Sequence, residues 1–402
     1  MLALPPPLRL ARQYAHTELL GGLSEVAAHA ARVRWATTRE EREAIYRFRY
    51  RVFHEELRVL PEYTDHARKW FWDQTDEDPS MHHMYCGDLG DLKGAARVHV
   101  WPVGEIPPEQ GDEFCPGLFP GIERLRCAEI GRFMIDRGAR GSWVALAMAR
   151  EMFLFLGERQ RIDLVFSSCR PGLVPLYARL GSRPYGGKIY ATPSGLVVPL
   201  VSAMSDEAYY RQVGAPTAPL IRRVFGPGRR APLDLRPFEP LFRAGEAQVL
   251  LQPARVEAAL REAQGGPHTF LGRLPPEALR GLSRHGLALE LKAGDGLLDA
   301  SYREREVFVV LRGELEVHAG GASLARLGPG EVVGEVGFFR ETGERSASVR
   351  ALTDAQVVVL RHKFLHKLAQ DTPRLAFEVS QALGAVLAER LAASNRARGA
   401  SS

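Results

Sequence analysis

Two short segments late in the chain carry residues that could together hold a phosphate and a sugar hydroxyl. Gly334 and Glu335 are followed, after a nine-residue insert, by Arg345, Ser346 and Ala347. An arginine can make a forked, charge-assisted contact with a diffuse anion, and backbone N–H groups beside it can complete the anion site. A carboxylate can accept a hydrogen bond from a free ribose hydroxyl. These types and this spacing predict a site for a cyclic phosphodiester; the alternative is a surface glutamate and arginine beside a hairpin.

Short apolar runs, broken at glycine and proline, surround these two segments. They occupy residues 307–317 and 327–333, and their pattern predicts a compact antiparallel β-barrel or roll. With the two segments included, residues about 268 to 396 resemble the cyclic-nucleotide-binding domain of the catabolite activator protein and of the regulatory subunits of cAMP-dependent kinases.

The resemblance implies a role for each residue of the two segments. Glu335, after Gly334, would hold the ribose of the nucleotide, and Arg345 with the Ser346 and Ala347 amides would hold its phosphate. A serine after the arginine is the form found in cAMP-binding activators. The resemblance therefore favours cAMP over cGMP as the ligand.

A long apolar-striped run follows the predicted roll and predicts a C-terminal helix. Pro373 stands where a helix would begin, and apolar residues recur at close to a 3.6-residue period as far as Leu391. The resemblance implies that this helix closes over the base, with Arg390 near the nucleotide and Ser394 and Asn395 facing the adenine amino group. The last two residues could equally be ordinary polar residues on a fraying terminus.

Ionic residues also recur in the N-terminal half, at intervals that could shape a charged pocket. Their pattern is R-x-x-x-F, then D-x-x-D, then an arginine in a predicted strand, then E-x-x-R-F, carried by Arg49, Asp73, Asp76, Arg97, Glu129 and Arg132. This pattern resembles the acyl-homoserine-lactone synthases and the long-chain N-acyl amino acid synthases, a branch of the GNAT acyltransferase superfamily. Tyr177 resembles the helix tyrosine that faces the thioester sulfur in that superfamily.

The same residues have a physical reading in acyl transfer from a thioester to an amine. That reaction needs a base for the ammonium proton, donors for the oxyanion and a proton for the departing thiol. Glu129, on a predicted buried strand, could act as the base, because desolvation raises the pKa of a carboxyl group, and Tyr177 could protonate the thiol. The remaining ions could attract the amine and shape its pocket, or they could be structural ion pairs: Arg49, Asp73, Asp76, Arg97 and Arg132.

The chain departs from the GNAT pattern in its loop at residues 137–142, where the glycines lie at unusual offsets. The donor could therefore be an acyl carrier protein thioester or an acyl-CoA. The tryptophan expected after R-x-x-x-F in lactone synthases is absent, so we expect simple N-acylation of an amino acid or other small amine. Two alternatives remain: a cAMP-gated protein lysine acetyltransferase, and a non-catalytic cAMP sensor with a GNAT-like interaction module.

Composition limits the remaining possibilities. The 402 residues carry a formal net charge of +5, mostly from arginine, which suits phosphate-bearing or acidic partners but also follows from a GC-rich genome. The four cysteines form no C-x-x-C pair, so we expect neither a metal nor a disulfide. No apolar run reaches membrane-spanning length, which predicts a cytoplasmic protein without a transmembrane segment. The sequence ends before a DNA-binding domain could follow, so we expect no DNA partner.

The fold expected from these patterns has two domains. Residues 36–203 predict an α/β (α+β) GNAT-like domain with a mixed central sheet, and residues 268–398 predict a C-terminal β-roll with flanking helices. Residues 1–35 form a helical segment without an assigned function, and 204–267 form a linker, helical over Pro253–Glu262. We expect the nucleotide to regulate acyl transfer, and the apolar stripe of the last helix to pack on its own roll or to form a homodimer.

Overall fold

A computed structural model describes residues 31–57, 64–192, 195–250, 252–300, 305–340, 343 and 345–399. The helix expected between Leu10 and Ala31 lies almost wholly outside the described residues. The chain divides into two compact units. Unit 1 takes the described residues up to Cys169 together with Val174–Lys188 and Pro199–Arg243, and unit 2 takes Arg170–Leu173, Ile189–Val198 and the described residues from Ala244 onward.

Unit 1 is built on a mixed sheet. Its strand order is β1-β4-β5-β6-β7-β10-β8, with β9 paired to β10. The β5–β6 pair is antiparallel and the β6–β7 pair is parallel, as expected for a crossover through a helix. The strands of the first half of the chain are β1 Val33–Trp35, β2 Thr64–Asp65, β3 Trp70–Phe71, β4 Met81–Asp88, β5 Asp91–Val100, β6 Cys127–Ile135, β7 Leu164–Cys169, β8 Arg183–Pro184, β9 Tyr190–Thr192 and β10 Gly195–Ala203.

Local sequence explains where the first helix of this half begins. The first one starts at a capping box, in which Thr38 accepts from the Glu41 backbone while the Glu41 carboxylate reaches back to the Thr38 backbone. It continues into a π-helical turn over Arg51–Glu56. The helices are α1 Arg39–Tyr50, α2 Pro108–Phe114, α3 Val144–Leu154, α4 Val174–Arg179, α5 Glu207–Gln212, α6 Ala218–Val224 and α7 Glu239–Gln248. The predicted strands that carry Arg97 and Glu129 are thus present as β5 and β6.

Unit 2 contains two antiparallel sheets, and the first of them packs with the helices in an apolar core. Their strand orders are β11-β12-β19-β14-β17 and β13-β18-β15-β16, so the described residues form a roll of two sheets and no closed barrel. The strands are β11 Val249–Leu250, β12 Leu287–Leu291, β13 Gly296–Leu298, β14 Glu306–Arg312, β15 Leu315–Ala319, β16 Ala322–Leu327, β17 Val332–Val333, β18 Ser348–Ala351 and β19 Ala355–Arg361. The α/β domain and the β-roll expected from the sequence are both confirmed.

Five helices accompany the roll, and the last is the longest. They are α8 Pro253–Glu262, α9 Pro276–His285, α10 Glu335–Phe339, α11 His362–Asp371 and α12 Pro373–Gly399. The expected helix over Pro253–Glu262 is therefore confirmed, whereas the domain boundaries stay predictions. In α12, Val379, Leu383 and Val386 are buried in the core of unit 2, but Leu391 is 64% exposed. The apolar stripe thus packs on its own roll for most of its length.

None of the described helices is both long and apolar enough to cross a lipid bilayer.

Candidate functional site

The D-x-x-D segment of unit 1 lies against the arginine of α1. Both Asp76 oxygens accept hydrogen bonds from Arg49 Nη1, at 2.9 and 3.0 Å, and both side chains are fully buried. Arg49 Nη2 lies 2.9 Å from His83 Nδ1, and His83 Nε2 lies 3.0 Å from the Asp76 carbonyl oxygen. Because an arginine only donates, His83 is neutral with its proton on Nε2, and burial together with Arg49 lowers its pKa to about 4.

The other aspartate joins this group to the arginines of the sheet. Arg97 Nη1 lies 3.3 Å from Asp73 Oδ2 and 3.3 Å from Asp76 Oδ1, and Arg132 Nη2 donates to Asp73. Burial alone would raise the pKa of Asp76, but the nearby guanidinium groups, Arg49 foremost, hold it well below its usual range. The structure therefore brings the five ions into one network, named here the ion cluster: Arg49, Asp73, Asp76, Arg97 and Arg132.

A β-bulge aims Arg132 into the ion cluster. Arg97 pairs with Gly131, but Ala95 pairs with Met134, so two residues of β6 between these pairs oppose one residue of β5. Arg132 accordingly has a left-handed backbone, with φ of 51°, which is uncommon for a residue with a side chain. Backbone strain of this kind persists where the surroundings require it, and it concentrates at functional sites.

Glu129 lies on the same face of the sheet, two residues before Gly131. Its side chain is buried, and its Oε2 has no hydrogen-bond partner among the described residues. Its Oε1 is 2.3 Å from the place where a Cβ on Gly131 would stand, so only glycine leaves room for the carboxyl group. Burial raises the pKa of Glu129 to about 7, against the opposing effect of Arg97. This carboxyl group can therefore take up and release a proton near neutral pH.

Tyr177 of α4 lies near enough to Glu129 for the two side chains to interact electrostatically. Burial raises the pKa of Tyr177, and the Cys169 thiol and the Glu129 carboxyl add to the effect. Tyr177 also lines a cavity of about 570 Å³ of empty space, its open mouth included. Most of the wall is apolar, with Ile130 and Met152 among its residues.

Several side chains that contact these residues were not expected from the sequence. His83 connects Arg49 to Asp76, and Glu113, which accepts a hydrogen bond from Ser168 at 3.1 Å, contributes to the raised pKa of Glu129. His83 is two residues before Tyr85 on β4, so period-two alternation places both side chains on the same buried face. The sequence could not mark His83 as a site residue, because its link to the site is its cross-strand pairing with Arg97. Glu113 belongs to none of the sequence motifs, so no sequence pattern predicted it here.

The second site, in unit 2, is centred on Glu335, which begins α10 after Gly334. The Glu335 side chain is buried, and its Oε1 lies 2.7 Å from Arg390 Nη1 of α12. Arg390 also donates to the Val332 carbonyl oxygen at 2.7 Å. The C-terminal helix is thus tied to the expected ribose ligand and to the strand before it.

The expected phosphate ligand lies in the same site. Arg345 is buried, and its Nη1 donates to the carbonyl oxygens of Glu306 at 2.9 Å and Gly334 at 3.0 Å. These two bonds fix the guanidinium beside the start of α10. Ser346 is exposed and Ala347 half-buried in the turn before β18.

The two residues expected at the base lie on the last turns of the C-terminal helix. Ser394 and Asn395 both belong to α12, and the Asn395 side chain is exposed. The structure therefore brings Gly334, Glu335, Arg345 and Arg390 together, while a contact of Ser394 or Asn395 with a base stays a prediction.

Comparison with known families matches the two halves separately. Residues 44–206 match the family model described as N-acyl amino acid synthase FeeM, and residues 288–372 match the model described as cyclic nucleotide-binding domain. The first range contains the ion cluster, Glu129 and Tyr177. The second contains Glu335 and Arg345 and ends before α12.

Individual relatives cover only parts of the chain. A cGMP-dependent protein kinase, egl-4 of Caenorhabditis briggsae, is 33% identical over 101 residues, which are 25% of this chain and 13% of the kinase. The solved structure of FeeM, an N-acyl amino acid synthase from uncultured soil microbes, is 17% identical. The match covers 44% of this chain and 93% of the FeeM chain, with a TM-score of 0.35. A cyclic nucleotide-binding domain from Methylobacillus flagellatus is 21% identical, covers 37% of this chain and 85% of its own, and has a TM-score of 0.32.

Proposed function

Because the chain carries a FeeM-type N-acyl amino acid synthase domain and a C-terminal cyclic-nucleotide-binding domain, we propose that it is an N-acyltransferase regulated by a cyclic nucleotide. It transfers an acyl group from a thioester, on an acyl carrier protein or CoA, to a small amine such as an amino acid. The observation that carries the proposal is Glu129, a buried carboxyl group with a pKa of about 7 beside both the ion cluster and Tyr177.

The reaction assigns one proton transfer to each of these two side chains. The acceptor ammonium gives a proton to Glu129, directly or through a water, and the amine lone pair forms the new C–N bond at the thioester carbonyl. The tetrahedral intermediate collapses with loss of the C–S bond, and Tyr177 supplies a proton to the departing thiolate. The nitrogen gives its second proton to the Tyr177 oxygen as the amide forms, and Glu129 releases its proton to water. Glu129 has the pKa that such a base needs, since it is ionised in about half of the molecules at pH 7.

The ion cluster suits the acceptor, and the cavity suits the donor. Three guanidinium groups face Asp73 and Asp76, so ionised Glu129 makes the charges balance and an arriving ammonium meets no net positive field from them. The apolar wall beside Tyr177 offers an acyl chain a place away from water. The two substrates would then meet at Glu129.

Regulation would act through the Glu335 carboxylate, which the nucleotide and Arg390 of α12 would share. A ribose hydroxyl that donates to Glu335 would share it with Arg390 of α12, so nucleotide affinity depends on where this helix lies. By linkage the nucleotide biases the helix in return. A roughly hundred-fold preference for one helix position supplies about 3 kcal/mol, enough to switch most of a balanced population.

The nucleotide is proposed to be cAMP, on the serine that follows Arg345. One similar protein is named a cGMP-dependent kinase, so cGMP is the necessary comparison. Isothermal titration of the full chain with each nucleotide decides between them: the proposal expects tighter binding of cAMP, and tighter binding of cGMP would reverse the assignment.

The activity is tested by mass spectrometry of acylated products. The full chain is incubated with long-chain acyl carrier protein or acyl-CoA thioesters and a mixture of amino acids and amines, with and without cAMP. We expect an N-acylated small amine whose rate of formation changes with cAMP. Acylation of protein lysines from acetyl-CoA would favour the lysine acetyltransferase instead. The absence of any acylated product from a sample that binds nucleotide would favour the non-catalytic sensor.

A further inference from the structure

The cavity beside Tyr177 is mostly apolar, but besides Tyr177 and Ser167 it is lined by a further group of hydroxyl-bearing side chains. Ser182 Oγ and Ser202 Oγ are 2.8 Å apart, and the Tyr210 hydroxyl hydrogen-bonds with Ser202. Thr217 is the fourth member of this group, named here the hydroxyl cluster, and all four residues line the cavity. Tyr210 is held in place because its ring lies over Gly181, where a Cβ would approach to 2.3 Å of it.

The hydroxyl cluster has hydrogen-bonding capacity that the described residues do not use. Three hydroxyls joined by two hydrogen bonds retain one proton to donate: those of Ser182, Ser202 and Tyr210. Thr217 is 2% exposed, and its hydroxyl has no partner among the described residues. Thr217 precedes α6, where threonine commonly caps a helix, yet it makes no capping bond. Thr217 is one of the residues that line the cavity.

A buried hydroxyl without a partner is unfavourable, so the arrangement points to a bound polar atom. A purely hydrocarbon chain in this cavity would cover Thr217 and leave its hydroxyl unsatisfied. A chain that carries an oxygen at this depth would accept from, or donate to, the cluster. The cavity is therefore built for a ligand that is apolar along most of its length and polar at one place.

The strand order shows how far the hydroxyl cluster lies from Glu129. Ser202 lies on β10, two strands from Glu129 on β6, and Ser182 precedes β8, the next strand after β10. Neighbouring strands are about 4.8 Å apart, so the hydroxyl cluster lies roughly 10 to 14 Å across the sheet from the Glu129 strand. An oxygen next to the thioester would stay close to the reacting carbon and could not reach the hydroxyl cluster.

We propose that the acyl donor of this protein carries a hydroxyl or keto oxygen far from its thioester, held by Thr217 and the Ser182–Ser202–Tyr210 group. This inference rests on the proposed acyl transfer, because it takes the cavity beside Tyr177 as the place of the acyl chain. It makes the hydroxyl cluster a selector of oxygenated acyl chains and not of chain length alone.

The test compares acyl thioesters of equal chain length in the full-length protein. The series holds an unsubstituted chain, a chain with a hydroxyl at the third carbon, and chains with a hydroxyl or a keto group near the far end. We expect kcat/KM for a remotely oxygenated donor to exceed that of the unsubstituted donor by about tenfold, the effect of one satisfied buried hydrogen bond. The third-carbon hydroxyl is expected to give no such gain.

Two variants connect the preference to the cluster. Thr217→Val keeps the side-chain shape and removes the hydroxyl, and we expect it to reduce the preference severalfold while unsubstituted donors lose nothing comparable. Met204→Leu, in the same cavity, changes an apolar side chain for another of similar volume and is expected to keep the preference. Thermal unfolding of both variants checks that each is folded.

The outcomes separate the two proposals. Equal kcat/KM for all donors in the wild type, or an unchanged preference in Thr217→Val, overturns the selector and indicates that ordered water satisfies the cluster. Absence of transfer from every donor overturns the acyltransferase proposal as well. Binding of the free remotely hydroxylated fatty acid over its unsubstituted analogue, measured by the shift in unfolding temperature, supports the selector independently of turnover.

Discussion

Two buried glutamates, one in each unit, have opposite surroundings. Glu129 is 7% exposed and Glu335 is 4% exposed, so burial does not distinguish them. Glu335 lies 2.7 Å from the Arg390 guanidinium. Glu129 makes no ion pair with a described residue, and burial raises its pKa to about 7. One carboxylate has a direct cationic partner, while the other has none among the described residues and can change its charge near neutral pH.

The difference separates two kinds of work that a carboxyl group can do. A ligand for a ribose hydroxyl must stay ionised and keep its place, and a bonded guanidinium serves both needs. A base must gain and lose a proton within one turnover, and a direct cation would keep it ionised. Arg97 acts on Glu129 only at longer range, because its close contacts go to Asp73 and Asp76.

The largest expected effect is on acyl transfer, from Glu129→Gln. The amide cannot accept the ammonium proton, and general base catalysis contributes roughly 10²- to 10⁴-fold. We expect kcat to fall by about that factor while the affinity for cAMP, measured by calorimetry, is retained. Glu123→Gln, at a surface glutamate 60% exposed in its side chain, is the matched control and should change neither quantity. A loss of less than fivefold in Glu129→Gln would remove this residue from the reaction.

The next effect tests the orientation of the Glu129 carboxyl group. A methyl group at residue 131 would stand 2.3 Å from Glu129 Oε1, so Gly131→Ala must turn this carboxyl group away. A displacement of about 1 Å in a reacting group can cost up to ~100-fold in rate. We therefore expect kcat to fall by tenfold or more in single-turnover assays.

The control for this change is a glycine in open space. A Cβ on Gly117 meets no atom within 4 Å, so Gly117→Ala should retain the wild-type rate. If Gly131→Ala is as active as Gly117→Ala, the observed orientation of Glu129 has no part in catalysis.

A smaller effect is expected on nucleotide binding, from Glu335→Gln. The neutral amide weakens both the ribose contact and the bond to Arg390, and hydrogen bonds to charged groups are worth about 1.5 to 3 kcal/mol. We expect the affinity for cAMP to fall roughly ten- to hundredfold, and the ratio of acyl-transfer rates with and without a fixed cAMP concentration to approach one. Exposed Glu314 supplies the comparison, Glu314→Gln, whose affinity should match the wild type. An unaltered affinity in Glu335→Gln would contradict the expected ribose contact.

The sequence predicted these glutamates to different extents. Glu335 lies in a contiguous cassette whose turn and strands are local, so its surroundings were predictable. Arg390, which is 55 residues later, was expected near the nucleotide from the family resemblance, but its ion pair with Glu335 was not predicted. The buried strand of Glu129 was predictable from its apolar neighbours, and with it the direction of the pKa shift. The bulge at Arg132 and the contribution of Glu113 were not, because register and long-range contacts leave no periodic signal.

The hydroxyl cluster could not be predicted from the sequence either, because it too depends on long-range contacts. Ser182, Ser202, Tyr210 and Thr217 lie in separate segments with no common spacing. Each reads alone as an ordinary polar residue near the end of a strand or helix. Only the order of the strands brings them to one cavity.

The last predicted effect concerns stability and isolates the proton on Glu129. Its pKa in the folded protein, about 7, lies above its ordinary value of 4.5, so folding favours the protonated form. The stability contributed by that proton is complete below pH 4.5 and is lost as the pH rises through 7. A shift of about 2.5 pKa units corresponds to a loss on the order of 3 kcal/mol. Glu129→Gln has no such proton and should not show the loss.

Tryptophan fluorescence makes this measurable in the intact chain, because all five tryptophans precede residue 204: Trp35, Trp70, Trp72, Trp101 and Trp143. Their urea-induced transition reports on unit 1. Between pH 5 and pH 8 the transition midpoint of the wild type should fall relative to that of Glu129→Gln, and the two should converge at pH 4. Parallel midpoints across this range would mean that Glu129 is already ionised at neutral pH, and the contrast drawn between the two carboxyl groups would disappear.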